Sequence, residues 1–385
     1  MYPNTSVCVI GVGFVGEHLL AAFMKHYPTS GLDISHKRIL KLRKLFPNTI
    51  FRTDYNNGIA EHNVFLISVP TLVSDEGEID MSYLHDVKFK LLPIIKPGSL
   101  VVIESSVYIG ATREIFSEFI DKGVYVGFSP ERVDPGRVSP SIHEIPKIVA
   151  GINNESLQRM KDVYGRVFQS IVPVSSLECA EMSKLYENCF RMVNIAYVNE
   201  IADMCYQMGI DTHEMISASS TKPFGFMSFH PGLGVGGHCI PVNPYYLMYS
   251  NQNLSALPVL SLSTEQMKAR PKKRVLEIAN LHNPDSVLVV GVGFKKGESL
   301  TTNSPGYEVY KEFLNHASNV SIYDPIVQNA QHPYMSCDKF HSSFLFDADT
   351  LKQMYDMIIV CHSLTESESA IVREYYQRGG DVYYY

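Results

Sequence analysis

The stretch SVCVIGVGFVG, residues 6–16, decides the fold of this chain. Its apolar first half is typical of a buried strand, and its glycine-rich second half leads into a helix. Gly11 permits the tight turn, Gly13 lets the backbone approach a pyrophosphate, and Gly16 allows the helix to pack closely on the sheet. The stretch therefore predicts a dinucleotide site at a helix N-terminus, with a glycine turn that serves only packing as the alternative.

The residues around this turn indicate which dinucleotide is bound. We expect Phe14 and Val15, which open the helix, to lie beside the cofactor. Asp33 follows the second glycine by 20 residues, at the end of the next predicted strand. A carboxylate there accepts hydrogen bonds from the ribose hydroxyls and repels a 2′-phosphate. The sequence predicts NAD, although the basic residues Lys37 and Arg38 leave NADP open.

Composition narrows the class of protein. A chain of 385 residues predicts two or three domains. A net charge of −7 argues against a nucleic-acid partner or an anionic membrane. The seven cysteines have no paired spacing, which predicts reduced thiols and neither disulfides nor a zinc site. No apolar run reaches the length of a spanning helix and no signal-peptide pattern opens the chain, so we expect a cytoplasmic protein without a metal.

The order of the predicted elements indicates the architecture. Short β-rich runs alternate with helical stretches in the N-terminal part, which indicates a parallel sheet with crossover helices. One long helix is predicted from Leu177 to Met208, with Gly209 as its stop, and a second β/α rhythm begins with SVLVVGVGF at 286–294. We predict an α/β fold of two Rossmann-like doubly wound domains joined by a long central helix. The predicted bounds are 1–176 for the NAD-binding domain, 177–281 for a central helical dimerisation domain with a cysteine loop, and 282–385 for the second Rossmann-like domain.

The loop GLGVGGHCIPVNPYYL, residues 232–247, carries the leading nucleophile candidate, Cys239. The glycine pair before it lets backbone approach a ligand closely, and the prolines that follow stiffen the loop. The alternative is a buried structural thiol, which is the common state of a free cysteine. A second glycine turn, at 291–297, carries Lys295 and Lys296, which either neutralise a diphosphate or form a solvated basic turn.

These features together resemble the UDP-glucose/GDP-mannose dehydrogenase family over nearly the whole chain, and within it the UDP-N-acetylglucosamine 6-dehydrogenases most. The resemblance rests on the following segments: SVPT at 68–71, ESSVYIGATRE at 104–114, FSPERVDPGR at 128–137, AEMSKLYENCFRMVNIAYVNE at 180–200, TKPFGFMSFHPGLGVGGHCIPVNPYYL at 221–247 and GVGFKKGESLTTNSP at 291–305. The SPERVDPG and TKPFGFM forms are similar to those of the N-acetylhexosamine branch.

The resemblance implies a four-electron oxidation of a UDP-sugar at C6 to the uronic acid, with two NAD consumed. Cys239 corresponds to the family nucleophile, which forms a thiohemiacetal and then a thioester. Lys184 and Asn188, four residues apart on one helix face, correspond to the pair that holds oxyanion charge and water. Without the resemblance, the two residues favour the alternative of an exposed lysine and a helix-face amide. Glu131 corresponds to the residue that assists thioester hydrolysis, with a loop ion pair as its alternative.

The resemblance also implies binding residues. Arg38, Thr71 and Ser106 correspond to positions that contact the cofactor. On the substrate side, in the domain over 282–385 and the segments before it, we expect UDP-sugar contacts from Glu131, Arg132, Lys184, Asn188, Gly234, Gly236, Phe294 and Lys295.

Four places depart from the family pattern. Asn243 stands where the family has an aspartate, and an amide cannot accept a proton at neutral pH. Thr302 replaces an arginine that contacts the cofactor, which predicts weaker NAD binding. Arg270 precedes Pro271 where Met is usual, and the chain ends in GGDVYYY, which is not the usual C-terminal strand.

Three functions compete at this point. The first is an active UDP-N-acetylhexosamine dehydrogenase, with UDP-glucose 6-dehydrogenase as its nearest alternative. The second is a catalytically impaired homologue that binds a nucleotide sugar, which Asn243 and Thr302 motivate. The third, a two-electron hydroxyacid dehydrogenase, needs no loop cysteine. The long helix further predicts a homodimer in which helices of two chains pack together.

Overall fold

A computed structural model describes residues 5–56, 58–74, 76–132, 141–250, 257–328 and 347–385. The chain divides into two compact units. The first comprises Met1–Glu187 and Tyr245–Ser255, and the second comprises Asn188–Pro244 and Ala256–Tyr385. The predicted three-domain bounds stay a prediction. Residues 133–137 of the predicted SPER segment lie outside the described residues.

The first unit is built on an eight-stranded sheet. The eight strands are β1 Val7–Ile10, β2 Thr29–Leu32, β3 Ile50–Arg52, β4 Val64–Ile67, β7 Leu100–Ile103, β8 Tyr125–Phe128, β9 Lys147–Gly151 and β10 Ile171–Pro173. The two remaining strands, β5 Leu72–Val73 and β6 Ile79–Asp80, form a separate small antiparallel hairpin. The sheet order is β10-β9-β8-β7-β4-β1-β2-β3. Every residue of β1, β4 and β7 is buried, as expected for central strands of a parallel sheet covered on both faces.

Strand order locates the ligand edge of this sheet. β2 and β3 lie on one side of β1 in the sheet. β4, β7 and β8 lie on the other side of β1, so the strand order reverses between β1 and β4. In doubly wound sheets ligands bind at the carboxyl ends of the strands at such a reversal. The predicted parallel rhythm is wrong at one place, because β9 pairs antiparallel with β8. The described residues that connect these two strands contain no helix, and a parallel neighbour needs a crossover.

Helices cover both faces of the first sheet. They are α1 Phe14–Phe23, α2 His36–Leu45, α3 Ser82–Leu91, α4 Ala111–Phe116, α5 Glu118–Asp121 and α6 Asn154–Tyr164, with a 3-10 turn at Ile59–Glu61. Side-chain caps fix two of their starts: Ser35 accepts a hydrogen bond from the N–H of Arg38, and Asn153 accepts one from Ser156.

The long helix α7 runs from Leu177 to Met208, as predicted, and the boundary between the units falls within it. Gly209 follows with φ +68°, a left-handed conformation that ends helices and favours glycine. The next helices are α8 Thr212–Ser220, α9 Asn243–Ser250 and α10 Pro258–His282.

The second unit contains a smaller parallel sheet. Its described strands are β11 Ser286–Val290, β12 Asn319–Tyr323, β13 Met357–Val360 and β14 Asp381–Tyr384, in the order β12-β11-β13-β14. The remaining helices are α11 Pro305–Phe313, α12 Pro325–Gln328, α13 Ala348–Met354 and α14 Glu366–Gln377. Alternate residues of β11 enter opposite cores, Val287 and Val289 on one face and Leu288 and Val290 on the other. The predicted α/β class with two Rossmann-like sheets and a long helix is confirmed.

None of the helices in the described part of the chain combines the length and apolar composition that crossing a bilayer requires.

Candidate active site

The first glycine turn has the geometry that a dinucleotide requires. Gly11 has φ +82°, and a Cβ there would lie 2.8 Å from the carbonyl oxygen of Ser68 at the end of β4. A Cβ on Gly16 would lie 2.1 Å from the Gly11 oxygen, so a side chain is excluded where α1 meets β1. A Cβ on Gly13 would meet nothing within 4 Å, which leaves space above the start of α1. The turn therefore fits a pyrophosphate at a helix N-terminus.

Asp33 and Arg38 secure this turn from the neighbouring strand and helix. Asp33 Oδ2 accepts a hydrogen bond from the Val12 N–H at 3.0 Å. Arg38 Nε donates to the Val12 oxygen at 2.6 Å, and its Nη2 forms an ion pair with Glu17 at 2.5 Å. Because Glu17 neutralises Arg38, this basic side chain at the turn already has a partner, which favours NAD over a 2′-phosphorylated cofactor.

Two other predicted cofactor residues lie at the same carboxyl edge. Thr71 follows β4 and Ser106 follows β7, and the Thr71 hydroxyl donates to the Ser106 oxygen at 2.7 Å. Ser68, which the sequence reasoning did not single out, donates to the Gly11 oxygen at 2.8 Å and so joins β4 to the glycine turn.

Glu131, Arg132 and Lys184 come together beyond β8. Lys184 Nζ donates to the main-chain oxygen of Glu131 at 2.6 Å. Arg132 pairs with Glu187 of α7, with Nη2 2.6 Å and Nε 3.2 Å from the carboxylate. The guanidinium that we expected on the substrate is thus engaged within the protein.

The Glu131 carboxylate is buried against Lys147, a residue that the sequence reasoning missed. Lys147 Nζ lies 3.2 Å from Glu131 Oε2 and 2.6 Å from Glu104 Oε2. Tyr164 donates to the other Glu104 oxygen at 2.5 Å. The loop ion pair considered as an alternative for Glu131 therefore exists, but as part of a buried charge cluster.

The cysteine loop is held within the second unit by the loop that follows β11. A Cβ on Gly237, which has φ +80°, would lie 2.9 Å from the Phe294 ring, and one on Gly236 would lie 3.0 Å from the Asn303 oxygen. Asn303 Nδ2 donates to the Gly237 oxygen at 3.1 Å, and the Gly237 N–H donates to the Thr302 oxygen at 3.0 Å. The glycine pair is required by this close backbone approach.

Cys239 is partly exposed, and its carbonyl is held by Asn243. The Cys239 oxygen accepts hydrogen bonds from the Asn243 N–H at 3.0 Å and from Asn243 Nδ2 at 2.8 Å. The Asn243 Oδ1 and Asn188 Nδ2 atoms are buried and have no hydrogen-bond partner in the described part of the chain. Buried amide atoms without partners are costly, and a bound molecule or water would relieve that cost.

The second glycine turn repeats the geometry of the first. Gly291 has φ +84°, and a Cβ on Gly306 at the start of α11 would lie 2.4 Å from the Gly291 oxygen. Asp324, after β12, accepts from the Val292 N–H at 2.9 Å, as Asp33 does from Val12. Here, however, a Cβ on Gly293 would lie 2.4 Å from the Glu298 oxygen, so the chain's own loop fills the space that is open at the first turn.

The predicted residues around that loop are placed as follows. Phe294 contacts the glycine pair, Gly234 lies against Pro305, with a hypothetical Cβ 3.3 Å away, and Lys295 is exposed. Lys296 donates to the Leu364 oxygen at 3.1 Å.

Comparison with known proteins agrees with this arrangement. Residues 5–168 match the NAD-binding domain of the UDP-glucose/GDP-mannose dehydrogenase family, and residues 178–269 match that family's central domain. The chain is 30% identical over 359 residues to a UDP-N-acetyl-D-mannosamine dehydrogenase of Methanococcus maripaludis, covering 88% of this chain and 84% of that protein. It belongs to the UDP-glucose/GDP-mannose dehydrogenase family.

A second relative supports the assignment to this family, and a solved structure shares the fold. A UDP-N-acetyl-D-glucosamine 6-dehydrogenase of Pseudomonas aeruginosa is 30% identical over 369 residues, covering 86% of each chain. The solved structure of a UDP-D-ManNAc dehydrogenase from Pyrococcus horikoshii superposes with a TM-score of 0.82 at 24% identity, covering 95% of this chain and 93% of that one, and shows the shared fold. The predicted family and the NAD cofactor are confirmed.

One departure from the family pattern has a clear structural role in this chain. Arg270 pairs with Asp203 of α7 through Nη1 at 2.8 Å and Nη2 at 3.0 Å. Its Nε donates to the Gly232 oxygen at 3.0 Å. The Gly232 N–H in turn donates to Asn199 Oδ1 at 3.1 Å. At the start of the cysteine loop, the Gly232 N–H is therefore bonded to α7 and the Gly232 carbonyl to α10.

Proposed function

We propose that this dehydrogenase oxidises a UDP-N-acetylhexosamine at C6 to the uronic acid by a four-electron reaction through Cys239. The observation that carries the proposal is a partly exposed thiol on a glycine-bounded loop in a chain whose first unit carries an NAD-binding domain. A two-electron dehydrogenase has no use for such a nucleophile, whereas oxidation to an acid requires the aldehyde stage to be trapped.

Each oxidation removes a hydride and a proton from the sugar, and NAD held by the first glycine turn would supply the hydride acceptor. Between the two oxidations, the Cys239 sulfur bonds to the aldehyde carbon, the thiol proton passes to the aldehyde oxygen, and the product is a thiohemiacetal. Loss of the C6 hydride and of the hydroxyl proton then leaves a thioester. A water oxygen then adds to the thioester carbon, one water proton passes to Glu131, and the carbon–sulfur bond breaks with its electron pair on the Cys239 sulfur.

The other predicted residues have supporting roles in this proposal. Lys184 and Asn188 stabilise the negative charge that develops on the oxygen of the reacting carbonyl group, and they order the water. Asn243 fixes the Cys239 backbone through the two hydrogen bonds to its carbonyl, so it keeps a positioning role without accepting a proton. Arg132 acts through its ion pair with Glu187, which holds the segment after Glu131.

The binding residues are proposed on the same basis. The cofactor contacts are Gly11, Gly13, Phe14, Val15, Gly16, Asp33, Arg38, Thr71 and Ser106. The proposed UDP-sugar contacts are Glu131, Lys184, Asn188, Gly234, Gly236, Phe294 and Lys295. Arg132, also predicted to contact the sugar, supports this set through its ion pair with Glu187.

The relatives' names support the substrate class. The two relatives described above, each 30% identical, are named for UDP-N-acetyl-D-mannosamine and UDP-N-acetyl-D-glucosamine, which share the acetamido group and the UDP moiety. The SPERVDPG and TKPFGFM segments favour the N-acetylhexosamine branch, and the wider resemblance to the UDP-N-acetylglucosamine 6-dehydrogenases makes UDP-N-acetylglucosamine the first substrate to test. UDP-glucose is the nearest alternative, and a binding protein without turnover is the alternative that Asn243 and Thr302 motivate.

A substrate panel tests the proposal. Purified protein with NAD is assayed for NADH absorbance with UDP-N-acetylglucosamine, UDP-N-acetylmannosamine and UDP-glucose, and Cys239→Ala is the control. We expect turnover with an N-acetylhexosamine and loss of acid product in the variant. Turnover with UDP-glucose alone would contradict the substrate class. Binding of all three sugars without NADH would identify an impaired homologue.

We also propose a homodimer formed through α7. Phe190, Tyr197 and Met204 are spaced by seven residues and so lie on one face of the helix, with exposed fractions of 40%, 61% and 48%. An apolar stripe of this kind on a surface helix indicates a packing partner, and the same helix of a second chain is self-complementary.

A further inference from the structure

A cluster of three charged side chains is buried beside the proposed hydrolytic base. The exposed fractions of the Glu104, Lys147 and Glu131 side chains are 0%, 4% and 9%. Charged groups are seldom buried to this degree without a function or a complete set of partners. In this cluster the Lys147 ammonium group forms ion pairs with the carboxylates of both Glu104 and Glu131.

Sheet register brings these residues together. In the antiparallel pair of β8 and β9, Gly127 lies opposite Gly151 and Phe128 opposite Ala150. The same register, continued past the end of β8, places Lys147 opposite Glu131. Glu104 follows β7, the strand next to β8, and its Oε2 accepts a hydrogen bond from Lys147 Nζ at 2.6 Å.

The contacts fix the Glu131 carboxylate in one orientation. Its Oε2 faces Lys147 Nζ at 3.2 Å, and its Oε1 accepts from the Arg132 N–H at 2.6 Å. The main-chain oxygen of the same residue accepts from Lys184 at 2.6 Å. Glu131 is therefore held between a buried lysine on the strand side and the proposed catalytic lysine on α7.

The groups that face Lys147 determine its charge. They are Glu104 after β7, Glu131 after β8, the main-chain oxygen of Pro130 at 3.2 Å, and Tyr164 of α6, which acts through Glu104. The uncharged ring of Phe168 also faces the ammonium group, with its centroid 5.6 Å from Nζ. Burial lowers the pKa of Lys147, but Glu104 and Glu131 outweigh burial and raise it overall, so the ammonium is retained.

Glu104 is the most deeply buried carboxyl group of this cluster. Burial raises its pKa to about 7, against the opposing effect of Lys147 and with a further contribution from Glu131. With both carboxylates ionised the cluster carries a net negative charge, and a proton taken up by Glu131 removes that charge. Proton uptake by Glu131 is therefore more favourable when Glu104 is ionised.

We propose that Lys147, held by Glu104 and Tyr164, is a positioning residue that keeps the Glu131 carboxylate ionised and oriented toward the water that hydrolyses the thioester. The inference rests on the proposed function. In this step the water oxygen bonds to the thioester carbon, the proton goes to Glu131, and the Cys239 thiolate leaves.

The test separates hydrolysis from the two oxidations. Wild type, Lys147→Met and Lys147→Arg are mixed with NAD and UDP-N-acetylglucosamine, quenched in acid during turnover and analysed by intact-protein mass spectrometry. We expect Lys147→Met to lose about 100-fold in kcat, the usual range for general-base catalysis, and to accumulate sugar on Cys239. We expect Lys147→Arg to retain the cation and most of the hydrolysis rate.

A matched control removes a buried hydrogen bond at the same place without changing charge. Ser129 donates to the Ile148 oxygen at 2.7 Å between the same two strands. We expect Ser129→Ala to lower the melting temperature without accumulating the adduct. If Lys147→Met does not fold, Glu104→Gln provides the test, because it should abolish the rise of the hydrolysis rate through about pH 7 that we expect for wild type.

Two results would overturn the inference, and they differ from each other. Normal turnover of Lys147→Met without an adduct, or a Glu104→Gln pH profile equal to that of wild type, would remove the positioning role and leave the proposed function intact. Wild type that forms neither NADH nor an adduct with any of the three sugars would overturn the proposed function and this inference with it.

Discussion

Substitution of single glycines in the first turn can distinguish an effect on cofactor binding from an effect on folding. A Cβ on Gly13 meets nothing within 4 Å, so we expect Gly13→Ala to change the free energy of unfolding by less than about 0.5 kcal/mol. The added methyl group enters the space proposed for the pyrophosphate, and we expect NAD affinity to fall about tenfold or more, measured by calorimetry. Gly16→Ala is the matched control, because its Cβ would meet the Gly11 oxygen at 2.1 Å and should destabilise the fold itself. Unchanged NAD affinity in Gly13→Ala would place the cofactor elsewhere.

The sequence predicts those functional residues that belong to a recognisable sequence motif. Gly11 stands in a turn and Cys239 in a glycine loop, and each of these patterns is complete within a few residues. Asp33 is recognised by its fixed spacing of 20 residues from Gly13, at the end of the next strand. Lys147 and Glu104 could not be paired from the sequence, because their contact depends on the antiparallel register of β8 and β9. A signal was present, since a charged residue in or directly after a buried strand requires a partner.

At the scale of elements, the Arg270 contacts connect α10 and α7 to the cysteine loop. We expect Arg270→Met, the residue usual in the family, to lower the free energy of unfolding by about 1–2 kcal/mol at pH 7, because a charge-assisted bidentate bond to Asp203 is lost. Arg373→Met, on the exposed face of α14, is the control.

The pH dependence of this effect follows from Asp203. Burial raises its pKa, but Arg270 and Arg274 outweigh burial and lower the pKa below the ordinary value of 3.8. The stabilisation is therefore fully present above about pH 4 and is lost as pH falls through the lowered pKa. Urea unfolding across pH 3 to 7 should show the difference between wild type and Arg270→Met shrink at the acid end. A difference that stays constant would show that charge pairing is not its cause.

The elements themselves followed from periodicity and stop signals. The predicted helix over Leu177–Met208 has those bounds, since its apolar spacing is regular and Gly209 can adopt positive φ. The direction of β9 was not predictable, because β9 is buried on both faces, and such a strand lacks the apolar–polar alternation that would indicate antiparallel pairing.

At the scale of the whole molecule, the apolar stripe on α7 predicts the assembly. We expect a dimer by light scattering at micromolar concentration. We expect Tyr197→Glu, which places a charge at the centre of the stripe, to shift the molecular mass to that of a monomer. Tyr376→Glu, at a 65% exposed site on α14, is the control and should remain dimeric. Wild type that is monomeric at this concentration would contradict the dimer.

The stoichiometry of the complete reaction tests the central claim most directly. Limiting UDP-N-acetylglucosamine is converted with excess NAD, and the NADH formed is divided by the uronic acid recovered. The proposed cysteine mechanism predicts two NADH for each acid in wild type and no acid with Cys239→Ala. One NADH for each substrate with a ketone or free aldehyde as product, or an acid yield that persists without the Cys239 thiol, would contradict it.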